Sequence, residues 1–459
     1  MMRFTALILM LVLGILCFSS CQMRSSEQGS SESQTERESE SESLNVTEIE
    51  GLRVLAVGDT HCTTGTDERI NSYIKWAGET FGYENTERMG LFVDSVLAEH
   101  EKEPIDLLLV LGDLANNDKP FQYYYKTYMN SIKGTSRDRW YGDWKAYMMD
   151  EFYASENDSI YDFKVNYLDR IADAGIPYYV VPGNHDAYTD EMWEACFSAK
   201  YGDNGELLTP SHIGEYGEMD YIIELPEKDT AIIMLNNFAY DEAEETDNLG
   251  NSMLGPRYQY YMTHDNVAYT PLSTDETRVE TFKELVREAR GYQHLYIASH
   301  YFSGLDVVNN KTVNDNSFIV TEGDKYGNLR AILYGHDQGN QDRYITAESG
   351  KRIYNTCVQH FVGTFSASKV EENGKTETVC ASIAASPWGF SDIRHAEGVG
   401  GSCRRISVEA NYEFDEELAA YYRSVHPEWD GKYFMTPFEK AWYCPYSIGK
   451  EYTIFTVEE

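Results

Sequence analysis

Residues 177–186 read PYYVVPGNHD: a short apolar run, a Pro-Gly break, then Asn184, His185 and Asp186. A run of that length bounded by Pro and Gly reads as a buried strand, and it leaves three polar side chains just past its carboxyl end. The same grammar recurs along the chain. GLRVLAVGDTH (51–61), IDLLLVLGD (105–113), HLYIASHYF (294–302) and LRAILYGHD (329–337) each end an apolar run in a polar group, and TAIIMLNNF (230–238) is a further strand. Between the runs lie helical stretches. In MGLFVDSVLAEH (89–100), Met89, Phe92, Val93, Val96 and Leu97 share one face, and NYLDRIADAG (166–175) and ETFKELVREARG (280–291) both stop at Gly. Continuous apolar strands alternating with amphipathic helices predict an α/β chain, mixed α+β in detail, with sheets covered by helices.

A chain of 459 residues with 42% hydrophobic residues has ample material for a large core. The formal net charge of −38 speaks against nucleic acid or an anionic membrane face as a partner, because phosphates would be repelled. A solvated acidic surface is the simpler reading, and it also suits a holder of divalent cations. Eight cysteines follow no CxxC spacing, so no structural zinc is expected.

The polar strand ends carry the chemistry. Asp59 and His61, Asp113, Asn184 with His185, His300 and His336 fall at the carboxyl ends of five strands. In open α/β sheets ligands bind outside those ends, so the strands would bring these residues together. A lone His at a strand end is usually a satisfied structural residue; five such ends in one chain are another matter. Carboxylates, imidazoles and a carboxamide together suit Mn, Zn or Fe, and they are too many donors for one tetrahedral ion. A carboxylate shared by two ions would set them about 3.5–4 Å apart, the arrangement of two-metal hydrolysis, with a bridging hydroxide as nucleophile.

The ordered series DTH, GDLANN, GNHD, SH and GHDQ resembles the calcineurin-like metallophosphoesterase superfamily, whose pattern is D-x-H, GD, GNH[DE], H and G-H-x-H. The resemblance covers residues 54 to about 340 and implies two packed mixed β-sheets flanked by helices. It implies two divalent metal ions, with Asp59 and His61 on the first and Asp113 as the bridge. Asn184, His300 and His336 would serve the second, and His185 would face the phosphoryl group. Gln338 stands where the family has a first-metal His, and an amide oxygen is a weaker donor to such ions than imidazole. The implied activity is hydrolysis of a small-molecule phosphodiester or phosphomonoester, a nucleotide or cyclic nucleotide among the candidates. The alternative is a weakened surface binding protein on the same scaffold. The purple acid phosphatase branch carries Tyr three residues after the bridging Asp; Asn116 stands there, which excludes that branch.

Residues 1–20 read as a signal peptide, and FSSC ending at Cys21 resembles the bacterial lipobox, which makes Cys21 the expected lipid acceptor. Residues 21–48 are Ser/Glu-rich and read as a disordered tether. The expectation is an exported lipoprotein on the outer face of the cytoplasmic membrane, touching it only through the lipid, or a secreted protein if no lipid is added. The metallophosphoesterase domain is set at 51–408 and a C-terminal extension at 409–459. Within the domain, about 120–165 form an aromatic insertion. Phe121, Tyr124, Tyr125, Tyr128 and Ile132, and likewise Trp140, Trp144 and Tyr147, follow helical spacing, which predicts a packed helical pair. The sharper reading is a wall of rings beside the metals. Cys62 is read as a small buried residue. RYITAES, GTFSASKVEENGKTETVCASI and CRRISVEANYEF are expected as strands completing the second sheet, and His360, His395 and His426 are expected to serve structure.

Overall fold

The structure, a computed structural model, describes residues 51–64, 85–134, 141–215, 218–238, 272–302, 315–336, 342–361, 388–396, 398–408 and 451–456, with short strands and single residues between them. The signal and tether segments, Cys21, Trp140, Gln338, His426 and most of the C-terminal extension lie outside these residues. Among the described residues no helix is long and apolar enough to cross a membrane.

Twelve strands build two six-stranded sheets. In chain order they are β1 (Leu52–Val57), β2 (Leu107–Leu111), β3 (Tyr178–Val181), β4 (Tyr221–Leu225), β5 (Thr230–Leu235) and β6 (His294–Ser299). Then follow β7 (Leu329–Tyr334), β8 (Asp342–Thr346), β9 (Arg352–Cys357), β10 (Gly389–Ala396), β11 (Gly400–Ser407) and β12 (Glu451–Phe455). The first sheet has the order β12-β11-β10-β1-β2-β3, with β1, β2 and β3 parallel and the rest antiparallel. The second runs β8-β9-β7-β6-β5-β4, parallel from β9 to β5. The mixed α/β architecture expected from the sequence is therefore the one observed.

Period-2 alternation explains the layers. Along β6, Tyr296 and Ala298 join the core shared with the first sheet, whereas Leu295 and Ile297 pack on the opposite face. That opposite face is covered by α-helices Glu276–Glu288 and Asp315–Gly323, through Phe282, Leu285, Val286, Ile319 and Val320. A strand buried on both faces has no polar positions to show, which is why these runs are continuously apolar. The first sheet is covered by helix Asn85–Lys102, whose Met89, Phe92, Val93 and Val96 are all fully buried.

The aromatic insertion is the predicted helical pair, Asp118–Ile132 and Tyr141–Glu151. Trp144 sits 5.5 Å from Phe121 and 5.1 Å from Tyr125, ring centre to ring centre, and is 1% exposed. These rings pack on one another and build core. One topological expectation is corrected. The strand containing CRRIS returns to the first sheet as β11 instead of completing the second, and the SASKV/KTETV pair forms its own hairpin. Apolar content alone does not say which of two buried sheets a late strand joins.

Candidate metal centre

All the parallel strands that bear polar ends point their carboxyl ends to one place, and the turns there are tight. Asp59, His61, Asp113 and His336 all adopt left-handed backbone, with φ of 51°, 43°, 48° and 64°. Non-glycine residues in that region are uncommon, Asp and His being among the better tolerated, and such strain persists where surrounding contacts enforce it. Those contacts are visible. Asp59 N donates to Gly112 O at 3.0 Å and His61 N to Asp113 O at 2.8 Å, so the first two motifs are laced together. Glycine precedes the ligand positions because of close approach: a Cβ at Gly112 would drive into the His300 ring, and one at Gly183 into Asp113.

Asp113 lies at the centre. Its Oδ2 stands 3.6 Å from His61 Nε2 and 3.3 Å from His300 Nε2, while Oδ1 accepts from His185 N at 2.8 Å. On one side, Asp59, His61 and Asp113 bring ligand atoms within 4.8 Å of one another; on the other, Asp113, His300 and His336 do the same. Asn184 Oδ1 joins the second group, 3.2 Å from His300 Nε2 and 2.9 Å from His336 Nδ1. Donors about 2.1 Å from one ion stand roughly 3.0–3.4 Å from each other, so these spacings fit a common coordination sphere.

The tautomers fit as well. His61 Nδ1 faces Asn116 Oδ1 at 2.7 Å and His300 Nδ1 faces Leu111 O at 2.7 Å, so each ring donates there and turns the lone pair of Nε2 inward. His61 Nε2 is buried without a hydrogen-bond partner, which a divalent cation between it and the carboxylates would resolve. The donor set therefore fits two ions that share Asp113.

The electrostatics follow from the crowding. Burial alone would raise Asp59, but His360, His61 and His300 hold its carboxyl well below the usual range. Asp113 is treated alike, with His300 and His185 outweighing burial. Burial would lower His300, yet Asp113 and Asp59 raise it to about 9, whereas His336 is pushed down to about 4 by burial and by His300. At the mouth, His185 keeps 31% side-chain exposure, with Nδ1 3.8 Å from Asp118 Oδ1. Burial works against its charge, but Asp113 and Asp118 raise it above its ordinary value.

Several supporting residues were given no role by the sequence reading. Buried Arg88 clamps the first loop, donating to Thr60 O, to His61 O at 2.9 Å and to Phe361 O at 2.9 Å. Asp186 accepts from the N–H groups of Leu114, Ala115 and Gly183, at 3.0, 2.8 and 2.8 Å, and so ties the GNHD turn to GDLANN. Cys62 is fully buried, as expected, and like Cys196, Cys357 and Cys403 it is a thiol outside any disulfide. His360, expected to be merely structural, instead lies against Asp59, its Nδ1 3.2 Å from Oδ2.

The family model of calcineurin-like phosphoesterases matches residues 52–340. No curated protein sequence matches the chain. Similar solved structures include a dimetal phosphatase from Danio rerio, at 11% identity and TM-score 0.40, covering 77% of this chain and 95% of that one. GAP50, the anchor in the inner membrane complex of Plasmodium, shares 11% identity at TM-score 0.35, over 78% and 85% of the two chains. A purple acid phosphatase from yellow lupin (Lupinus luteus) seeds shares 10% at TM-score 0.38, over 79% and 52%. At these values the three structures carry no argument about this chain. The family match spans most of the chain and every described strand end of the candidate centre: the chain belongs to the calcineurin-like phosphoesterase family.

Proposed function

We propose that this chain hydrolyses phosphoester bonds at a dinuclear centre, with Asp59 and His61 on one divalent ion, Asn184, His300 and His336 on the other, and Asp113 on both. The observation that carries the reading is the single oxygen Asp113 Oδ2, placed between His61 Nε2 and His300 Nε2 at 3.6 and 3.3 Å. Two divalent ions bound there would supply charge neutralisation for the phosphoryl group and a lowered pKa for water. The chain's own groups do the rest. Asn116 and Leu111 O fix the two imidazoles, and Asp113 Oδ1 holds the backbone of His185. His185, half-open at the mouth with Nδ1 3.8 Å from Asp118 Oδ1, would face the leaving ester oxygen and could give it a proton as the P–O bond breaks.

The substrate is a small phosphoester, diester or monoester, with nucleotides and cyclic nucleotides the first classes to try; the net charge of −38 disfavours a nucleic-acid polymer. Assays of bis-p-nitrophenyl phosphate and p-nitrophenyl phosphate under Mn, Zn and Fe test this. Turnover of either ester that is lost with chelator and restored by metal supports hydrolysis. No turnover under any metal, with two ions bound, would favour the surface binding protein instead.

We further infer, from the FSSC sequence and the Ser/Glu-rich tether, that the chain is an exported lipoprotein anchored through Cys21. Cys21→Ser should move the protein out of the membrane fraction with specific activity unchanged; continued membrane association would rule the anchor out.

A further inference from the structure

The family pattern places an imidazole at position 338 on the first metal, and this chain has Gln there. Another imidazole is buried on the same side of the site. His360 follows β9 of the second sheet, but its segment is stitched to the end of β1 in the first: Gly58 N donates to Gln359 O at 3.0 Å, and Phe361 N to Gly58 O at 3.3 Å. The backbone of His360 is thereby fixed one residue from Asp59. Its side chain, 8% exposed, sets Nδ1 3.2 Å from Asp59 Oδ2, a distance at which a small rotation of either group aligns a hydrogen bond. On the far side of the ring, Nε2 lies 3.3 Å from Cys357 Sγ.

The two oxygens of Asp59 are used differently. Oδ1 is the one turned toward His61 Nε2, at 3.8 Å. Oδ2 points away from that imidazole, taking the backbone N–H of His336 at 2.9 Å and facing His360 Nδ1. His360 is absent from the group formed by Asp59, His61 and Asp113, whose ligand atoms lie within 4.8 Å of one another. It therefore stands behind the carboxylate and not beside the ion that the carboxylate would bind.

We propose that His360 is a positioning residue of the first metal site, holding Asp59 Oδ2 so that Oδ1 stays turned toward the ion. The proposal rests on the dinuclear reading above. An N–H donated to the outer oxygen of a ligating carboxylate fixes its orientation, and losing such a partner typically weakens metal binding about 10–100-fold. Cys357 contributes by stopping the ring from turning its other nitrogen to Asp59.

Calorimetric titration of the metal-free full chain with Mn or Zn tests this, with His61→Ala and His300→Ala as controls that assign each binding step to the first or second ion. His360→Ala should weaken the first ion about 10–100-fold and leave the second unchanged. His360→Asn, which keeps an N–H near the Nδ1 position, should restore most of the lost affinity, and His360→Gln, which reaches further, should not. If all three variants bind both ions as the wild type does, the proposal is overturned. It is equally overturned if His360→Asn removes a nitrogen hyperfine coupling from the first Mn ion, for that would make His360 a direct ligand. Should His360→Ala fail to fold, the contrast between Asn and Gln decides. A wild-type chain that binds no pair of ions at all would instead sink the dinuclear reading itself.

Discussion

Strand β6 carries a histidine at each end, and the two ends of the sheets use theirs in opposite ways. At the carboxyl end, His300 lies 3.3 Å from Asp113 Oδ2 and 3.2 Å from Asn184 Oδ1, among other imidazoles, and neighbouring His61 keeps one ring nitrogen without a partner. At the amino end, His294 stacks on Phe455 with ring centres 4.9 Å apart and lies 4.3 Å from His395. There His395 has both nitrogens occupied by hydroxyls, Tyr296 Oη at 2.9 Å and Thr230 Oγ1 at 3.2 Å. Burial drives both of these rings neutral, to about 3 for His294 and about 4 for His395. Residue type and strand are the same at the two ends; partners separate a candidate metal centre from a structural joint. A buried imidazole whose inner nitrogen faces carboxylate and amide oxygens suits a cation, and one whose two nitrogens meet hydroxyls is already satisfied.

The contrast can be broken most severely at Asp113. Asp113→Asn removes the charge shared by both groups of ligands, so turnover of bis-p-nitrophenyl phosphate should fall on the order of 10³-fold or more, about 4 kcal/mol of barrier, while the folded content by circular dichroism is kept. Near-normal turnover would mean that the ions, if bound, do not depend on this bridge. A smaller change sharpens the contrast within the site. If Gln338 supplies a weak amide donor to the first ion, Gln338→His should tighten that ion by about 10–100-fold and leave the second alone, as read by Mn or Zn titration. Identical two-step curves would place the side chain at 338 away from the metals.

The smallest effect belongs to the amino end. An unfolded His takes up its proton near pH 6.5, whereas folded His395 does so only near 4. Above pH 6.5 both states are neutral and nothing is gained or lost. As pH falls from 6.5 toward 4 the unfolded state binds the proton first, so stability is lost across that window. His395→Gln should flatten the loss between pH 6.5 and 4 in thermal denaturation and cost about 1–3 kcal/mol near neutrality through its disturbed partners, Tyr296 and Thr230. Metal binding and activity per folded molecule should stay as in the wild type. A matching loss of metal affinity would show that the two ends are not independent.

Much of this was readable in the sequence for a physical reason. Strands buried on both faces must be apolar throughout, so any polar residue at their carboxyl ends stands out, and Asp59, Asp113, Asn184, His300 and His336 were all visible that way. His360 follows an apolar strand too, RIYNTC, yet no motif surrounds it, and its importance arises from a crossing to the end of β1 that no local pattern encodes. Arg88 was equally hidden: on a helix it reads as a surface charge, and only the fold shows it 1% exposed beneath the first loop. The return of β11 to the first sheet was missed because two buried sheets ask for the same residues.

The central claim is that one carboxylate joins two ions, and loading metal-free protein with Mn tests it most directly by counting ions and recording their electron paramagnetic resonance. The account predicts two Mn per chain with the multiline signal of a spin-coupled pair, reduced to an uncoupled signal or none in Asp113→Asn. One ion per chain, or two uncoupled ions whose spectrum Asp113→Asn leaves unchanged, would contradict it.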